Sequence, residues 1–394
     1  MVEPELGILV NPARRGLKAS DMVLEVTINI IVGLMGFASG GWLGWRLRQQ
    51  GITGTNLFSR KTPISLMVLA AGVCVVVLLL HLPQLQFLPL AWRASGIQVS
   101  WMLLRSLLLW TNGMAIAIHR RVTPSQLRAS ILICVVGFGL LVGMEQYLLT
   151  PIYPSLTHHV GPQGIVRQTS ESSCAPAALA TVLHQWQIET SEPEVAKLAG
   201  TSRAGTSNPQ LIAAAQELGM DGLELQPAWE TIQQINRPGI LSIWLVDGDR
   251  RLPHAVALLK MNQDTAVIAD PSEGKAFMVD RPALEQVWRQ EYVPIFRPQD
   301  IKLSPRKAQH YLTTLGYGRH GSAPSFLRWL PQPSAHWREA LRQFQADNPG
   351  LPESGNLDAA TVLALTGAFA QQTPTLSLPH PPNRTTVDYH HPGA

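Results

Sequence analysis

Pro253-His254-Ala-Val-Ala-Leu-Leu-Lys260-Met-Asn-Gln-Asp264-Thr-Ala-Val-Ile-Ala-Asp270 carries two strand patterns and the turn between them. His254 to Lys260 and Thr265 to Ala269 are short, apolar and rich in strand formers, as is Ile240 to Val246 before them. A three-residue loop at Met261-Asn262-Gln263 pairs Lys260 with Asp264 and, in continuous register, sets His254 directly opposite Asp270. Such partners have β-carbons about 5 Å apart, within reach of a hydrogen bond from imidazole to carboxylate. Upstream the period is helical, over Ala175 to Trp186, Glu192 to Ala199 and Pro209 to Leu218, with Gly219 as a C-terminal stop. Helices first and strands afterwards predict a segregated α+β domain over 164–296, not alternating βαβ units.

Cys174 follows three short polar residues in Gln168-Thr-Ser-Glu-Ser-Ser-Cys174-Ala-Pro-Ala-Ala-Leu, at the expected start of the first of these helices. Free amides and the positive dipole end of a helix N-terminus stabilise a thiolate, which is the attacking species. The other two cysteines, Cys74 and Cys134, lie in long apolar runs and offer no evident disulfide partner. His254 could deprotonate Cys174 while Asp270 fixes the tautomer, and Gln168, six residues before the thiol, could donate its amide to an oxyanion. The competing reading is a satisfied strand histidine and a turn-forming Asp-Pro.

The first 150 residues are far more apolar than the rest. Four runs approach the roughly 20 apolar residues that cross about 30 Å of hydrocarbon: Val26 to Trp45, Ile64 to Leu82, Val99 to Ile118 and Ser130 to Leu149. The alternative is a set of buried helices in a large soluble domain. Arg105 and Glu145 fall inside the third and fourth runs, where each either faces another helix, with mutual pairing open to them, or snorkels to the interface. Arg46, Arg48, Arg60 and Lys61 mark the first connection and Arg120, Arg121 and Arg128 the third, against Arg93 alone in the second. Basic loops stay cytoplasmic, so four spans place both termini, and Cys174 with them, on the outer side of a bacterial cytoplasmic membrane. Arg14, Arg15 and Lys18 oppose this orientation, and an odd number of spans reverses it. No secretory signal precedes the first span, which predicts a retained anchor in the lipid bilayer. The net charge of +4 is small and sits in loops, which argues for topology and against a nucleic-acid partner.

Gln168, Ser-Cys174-Ala-Pro-Ala-Ala-Leu, Pro-His254-Ala-Val-Ala-Leu-Leu and Val-Ile-Ala-Asp270-Pro-Ser-Glu-Gly together resemble the papain-like cysteine peptidases of the C39, or bacteriocin-processing, family. Gly200-Thr-Ser, Leu218-Gly219 and Pro238-Gly239-Ile fall where that family has comparable segments, and Leu284 to Trp288 resembles its closing helix. The resemblance implies Cys174 as nucleophile, His254 as general base, Asp270 as orienting group and Gln168 as oxyanion donor, with a peptide or protein as substrate and no cofactor. Two departures bear on it. Ala175 stands where members usually have Gly, and no phosphate-binding loop ending in Lys-Ser or Lys-Thr is present, so a transporter partner would be a separate protein.

Ala308-Gln309-His-Tyr-Leu312-Thr-Thr-Leu315-Gly316-Tyr, Glu339-Ala340-Leu-Arg-Gln-Phe344-Gln345, Gly350-Leu351, Gly355 and Thr361 to Leu365 resemble the three-helix peptidoglycan-binding module, with Asp358 as N-cap of its last helix and an unusual insertion from His320 to Pro333. The alternative is a helical bundle packed on the peptidase domain without glycan affinity. The expected organisation is an N-terminal segment (1–21), a four-helix transmembrane region (22–150), an extended linker (151–163), the α+β peptidase domain (164–296), the helical module (303–366) and a disordered tail (367–394). His380, His390 and His391 in that tail lack the spacing of a structural metal site. Three functions remain open: a membrane-anchored cysteine peptidase near the cell wall, a hydrolase of peptidoglycan stem peptides, and a non-catalytic peptide- or wall-binding scaffold.

Overall fold

The computed structural model describes residues 19–51, 88–119, 124–161, 163–248, 250–318, 334–370 and 373–377, with scattered positions between 67 and 85. The chain divides into two compact units, Met1–Pro151 with Ser202–Gln210, and Ile152–Thr201 with Leu211–Ala394.

The first unit is built on α1 (Ala19–Gln49), α2 (Leu90–Ala94), α3 (Gly96–His119) and α4 (Pro124–Leu149). Among the described residues three helices, not four, are long and apolar enough to cross a bilayer: Thr27–Gln49, Gly96–Ile118 and Leu127–Leu149. The run expected from Ile64 to Leu82 lies largely outside the described residues. Between apolar helices in lipid, small residues drive association because they let backbones approach. Gly36, Gly40 and Gly44 repeat every fourth residue on α1 and face Ser106, Trp110 and Met114 of α3, where a Cβ at Gly40 would overlap the Trp110 carbonyl oxygen. Gly40→Val is therefore expected to separate α1 from α3, read as loss of a cysteine crosslink engineered between those helices.

Arg105 and Glu145 do meet, with Nε 3.2 Å from Oε2. Arg105 Nη2 also donates to Asn29 Oδ1 at 3.1 Å, so one guanidinium ties α3 to both α1 and α4.

In the second unit helices come first, α5 (Cys174–Gln185), α6 (Glu192–Ala199) and α7 (Asn208–Glu217, whose first residues belong to the other unit), and α8 (Trp229–Ile235) follows the short first strand. The sheet contains β1 (Asp221–Gly222), β2 (Gly239–Asp247), β3 (Arg250–Met261), β4 (Thr265–Asp270), β5 (Lys275–Asp280) and β6 (Trp288–Phe296), in the antiparallel order β1-β6-β2-β3-β4-β5. The segregated α+β expectation matches this sheet domain. The closing helix starts earlier than expected, as α9 (Arg281–Val287), and Trp288 opens β6.

The β3–β4 register also differs. Met261 pairs with Ala266 and Lys260 with Val267, because Asn262 Oδ1 accepts from the amides of Asp264 (2.9 Å) and Thr265 (2.7 Å) and shortens the turn. That slip of three would send His254 and Asp270 to opposite faces. A bulge between Leu258 and Lys260 takes back one residue, so Ala257 pairs with Ala269. The net slip of two keeps His254 and Asp270 on one face as diagonal neighbours.

Three further segments make contacts with the second unit that the sequence did not suggest. The stretch 151–163 is not a free extended linker from Ile152 onward: a 3₁₀ turn at Tyr153–Ser155 brings Ile152 and Leu156 together, buried against Ala196. The C-terminal helices α10 (Pro305–Thr314), α11 (Ser334–Ala346) and α12 (Ala359–Gly367) do not form a separate body either. Ala308, Leu312, Leu341, Phe344 and Leu363 share one continuous core with Trp229, Ile232 and Ile235 of α8 and Val256 and Ile268 of the sheet. Asp358 caps α12 as expected, accepting from the Thr361 amide at 2.9 Å. The tail is bound to β3 and to the end of α8: Lys260 Nζ donates to Thr375 O at 2.9 Å, and Leu376 N donates to Asn236 Oδ1 at 2.8 Å. The insertion 320–333 and His380, His390 and His391 lie outside the described residues.

Candidate active site

Cys174 is the first residue of α5, and the turn before it is built by serines. Ser173 is fully buried and does not cap α5 through its side chain. Its hydroxyl donates to Ser170 O at 2.7 Å and accepts from Ser170 N at 3.1 Å, closing a small loop that aims the helix start. α5 packs across β3, which brings the thiol to His254.

His254 is 6% exposed and Asp270 1% exposed. His254 Nε2 lies 2.8 Å from Asp270 Oδ1, and the imidazole also interacts with the Cys174 side chain. With Nε2 committed to the carboxylate, Nδ1 is the nitrogen left for sulfur. The same Oδ1 accepts from Ser272 N (2.8 Å) and Ser272 Oγ (2.7 Å), so three donors fix the carboxylate in one orientation. Sequence reasoning missed Ser272, although Asp-Pro-Ser carries an Asx-turn signal.

Gln168 sits between the two halves of the site. Its backbone N–H donates to Pro271 O at 2.8 Å, beside Asp270, and its Nε2 donates to Ser170 O at 3.0 Å, in the turn that presents Cys174. The four residues singled out in the sequence thus belong to one connected arrangement. Gly161 closes it from behind, since a Cβ there would overlap the carbonyl oxygen of Gly274 in the Asp270 turn.

The electrostatics follow from this geometry. Burial pushes the Cys174 thiol up, but the hydrogen bond and charge of His254, with the amides of Ala255 and Ala175, outweigh it and hold the thiol below its ordinary value. Burial likewise pulls His254 down, and the bonds to Asp270 and Cys174 outweigh it, raising the imidazole to about 9. Both shifts favour a thiolate–imidazolium pair, whose titration belongs to the pair. Among the described residues no group of three or more His, Cys, Asp or Glu could hold a metal ion.

Residues 163–300 match the peptidase C39 family. An uncharacterised protein of Methanothermobacter marburgensis is 32% identical over 143 residues, which span 36% of this chain and 94% of that protein. The domain belongs to the peptidase C39 family. The C39 domain is also 29% identical over 111 residues to the lactococcin-G-processing and transport ATP-binding protein LagD of Lactococcus lactis, covering 28% of this chain and 16% of that one. Among solved structures, the peptidase domain of Streptococcus ComA, a bi-functional ABC transporter involved in a quorum-sensing pathway, aligns at 20% identity with a TM-score of 0.31, over 33% of this chain and 96% of that domain.

Proposed function

We propose that the protein is a membrane-anchored cysteine peptidase that hydrolyses peptide bonds with Cys174, His254 and Asp270, acting outside the cytoplasm near the cell wall. The observation that carries this reading is the line of contacts from a helix-start thiol through His254 to Asp270, with His254 Nε2 2.8 Å from the carboxylate. A bare scaffold has no need of a thiol held below its ordinary pKa.

In the first step the Cys174 sulfur attacks the substrate carbonyl carbon. The resulting oxyanion takes the second N–H of the Gln168 amide, the first being held by Ser170 O. His254 passes its proton to the departing amine as the C–N bond breaks, leaving a thioester. It then takes a proton from water, which attacks the thioester and frees the acid and the thiolate. Asp270 keeps the imidazole oriented and stabilises its charged form throughout. A peptide substrate accords with the C39 family, and LagD is named for processing lactococcin G.

The outward side rests on four spans with basic first and third connections. A periplasm-dependent reporter fused after Gly164 is expected to be active, and activity of a cytoplasm-dependent reporter there reverses the orientation. Incubating the full chain with a peptide library and with purified peptidoglycan, followed by mass spectrometry, separates the substrates. Peptide products absent from Cys174→Ala support the peptidase, released stem peptides support a wall hydrolase, and no Cys174-dependent product removes both.

A further inference from the structure

Glu192 is fully buried, an expensive place for a carboxylate, and none of the roles assigned above uses it. It opens α6, where the helix N-terminus favours negative charge. Both of its oxygens are spent on one residue: Oε1 accepts from Thr169 N at 2.9 Å and Oε2 from Thr169 Oγ at 3.0 Å. Thr169 Oγ accepts in turn from Thr157 N at 3.1 Å, which fixes its hydroxyl proton on the carboxylate. Thr169 lies between Gln168 and Ser170, the residue whose carbonyl holds the Gln168 amide. On the other side Gln168 N is held by Pro271 O, so the peptide that carries Gln168 is clamped from two directions.

We propose that Glu192 is a positioning residue that holds Gln168 in place for the oxyanion. The proposal rests on Cys174 being the nucleophile and adds to that reading a specific demand on acyl transfer. In acyl transfer sulfur attacks a carbonyl carbon and charge gathers on oxygen before the leaving group departs. In alkylation by iodoacetamide sulfur displaces iodide and no oxyanion forms. A residue that acts through Gln168 slows the first reaction and spares the second, whereas one that merely holds the domain together moves both.

The test uses the full chain in detergent, with 4-nitrophenyl acetate as acyl donor and iodoacetamide as alkylating probe. Glu192→Ala is expected to slow release of 4-nitrophenolate about tenfold or more, while Cys174 alkylation stays within about twofold of the parent. Glu192→Gln keeps an acceptor for the Thr169 amide but sets an N–H where the Thr169 hydroxyl needs an acceptor, and its acylation rate should fall between those of Glu192→Ala and the parent. Gln168→Ala and Glu192→Ala combined should be no slower than Gln168→Ala alone, as expected for residues acting in series. Where Glu192→Ala does not fold, Thr169→Val, which removes one of the two bonds, should give the same split. Acylation and alkylation falling together, or losses that multiply with Gln168→Ala, overturn the proposal. Failure of the nucleophile reading looks different: acylation in the parent would then survive Cys174→Ala.

Discussion

His254→Ala is expected to lower the rate of peptide cleavage at neutral pH by about 10³-fold or more. The imidazole does two things at once in this geometry. Through its hydrogen bond and charge it lowers the Cys174 thiol against the opposing effect of burial, and in the proposed mechanism it supplies the proton that the departing amine needs. Alanine removes both, and the thiol then loses the largest of the effects that hold it below its ordinary value. Asp270→Asn tests the next link. It keeps the shape of the 2.8 Å contact but removes the charge that raises His254 to about 9. The upper limb of the pH profile, where activity falls as His254 loses its proton, should then move to lower pH. Steady-state cleavage between pH 5 and 10 checks both, and an unchanged upper limb in Asp270→Asn removes Asp270 from the mechanism.

Deleting 303–394 is expected to unfold the C39 domain. The alternative picture, a detachable wall-binding module, predicts no change in the peptidase half. The core decides between them, because α8 packs its Trp229, Ile232 and Ile235 into the same cluster as Leu312, Phe344 and Leu363. Polar contacts cross the same boundary, with Thr231 Oγ donating to Pro349 O at 2.9 Å and Gln234 Nε2 to Ala364 O at 3.0 Å. Uncovering several large apolar side chains at about 1.5–3 kcal/mol each removes most of the 5–15 kcal/mol that stabilises a typical domain. Thermal unfolding of a chain truncated after Lys302 checks this. A cooperative transition at the parent temperature contradicts the shared core.

The parts of the site that a local pattern specifies were legible in the sequence. Cys174 stood out because polar residues meet a helical period there, and the His254 and Asp270 strands because their composition alternates with turns. Their register was not legible, since it depends on Asn262 shortening the turn and on the bulge before Lys260, which are side-chain and backbone choices with no period of their own. α8 escaped notice for a similar reason. It is seven residues long, starts at Ala228 without a side-chain cap and stops at Asn236 in a left-handed conformation, so only tertiary packing supports it. Glu192 read as the start of an amphipathic helix, which it is, but its burial on Thr169 joins residues 23 positions apart that no local pattern connects.

Whether His254 lowers the Cys174 thiol is read from the rate of Cys174 alkylation by iodoacetamide in the full chain as a function of pH. The geometry predicts reaction that sets in below the ordinary thiol value of about 8.5, and a shift of the whole profile to higher pH in His254→Ala. A single rise at the ordinary thiol value, the same in both proteins, would contradict it.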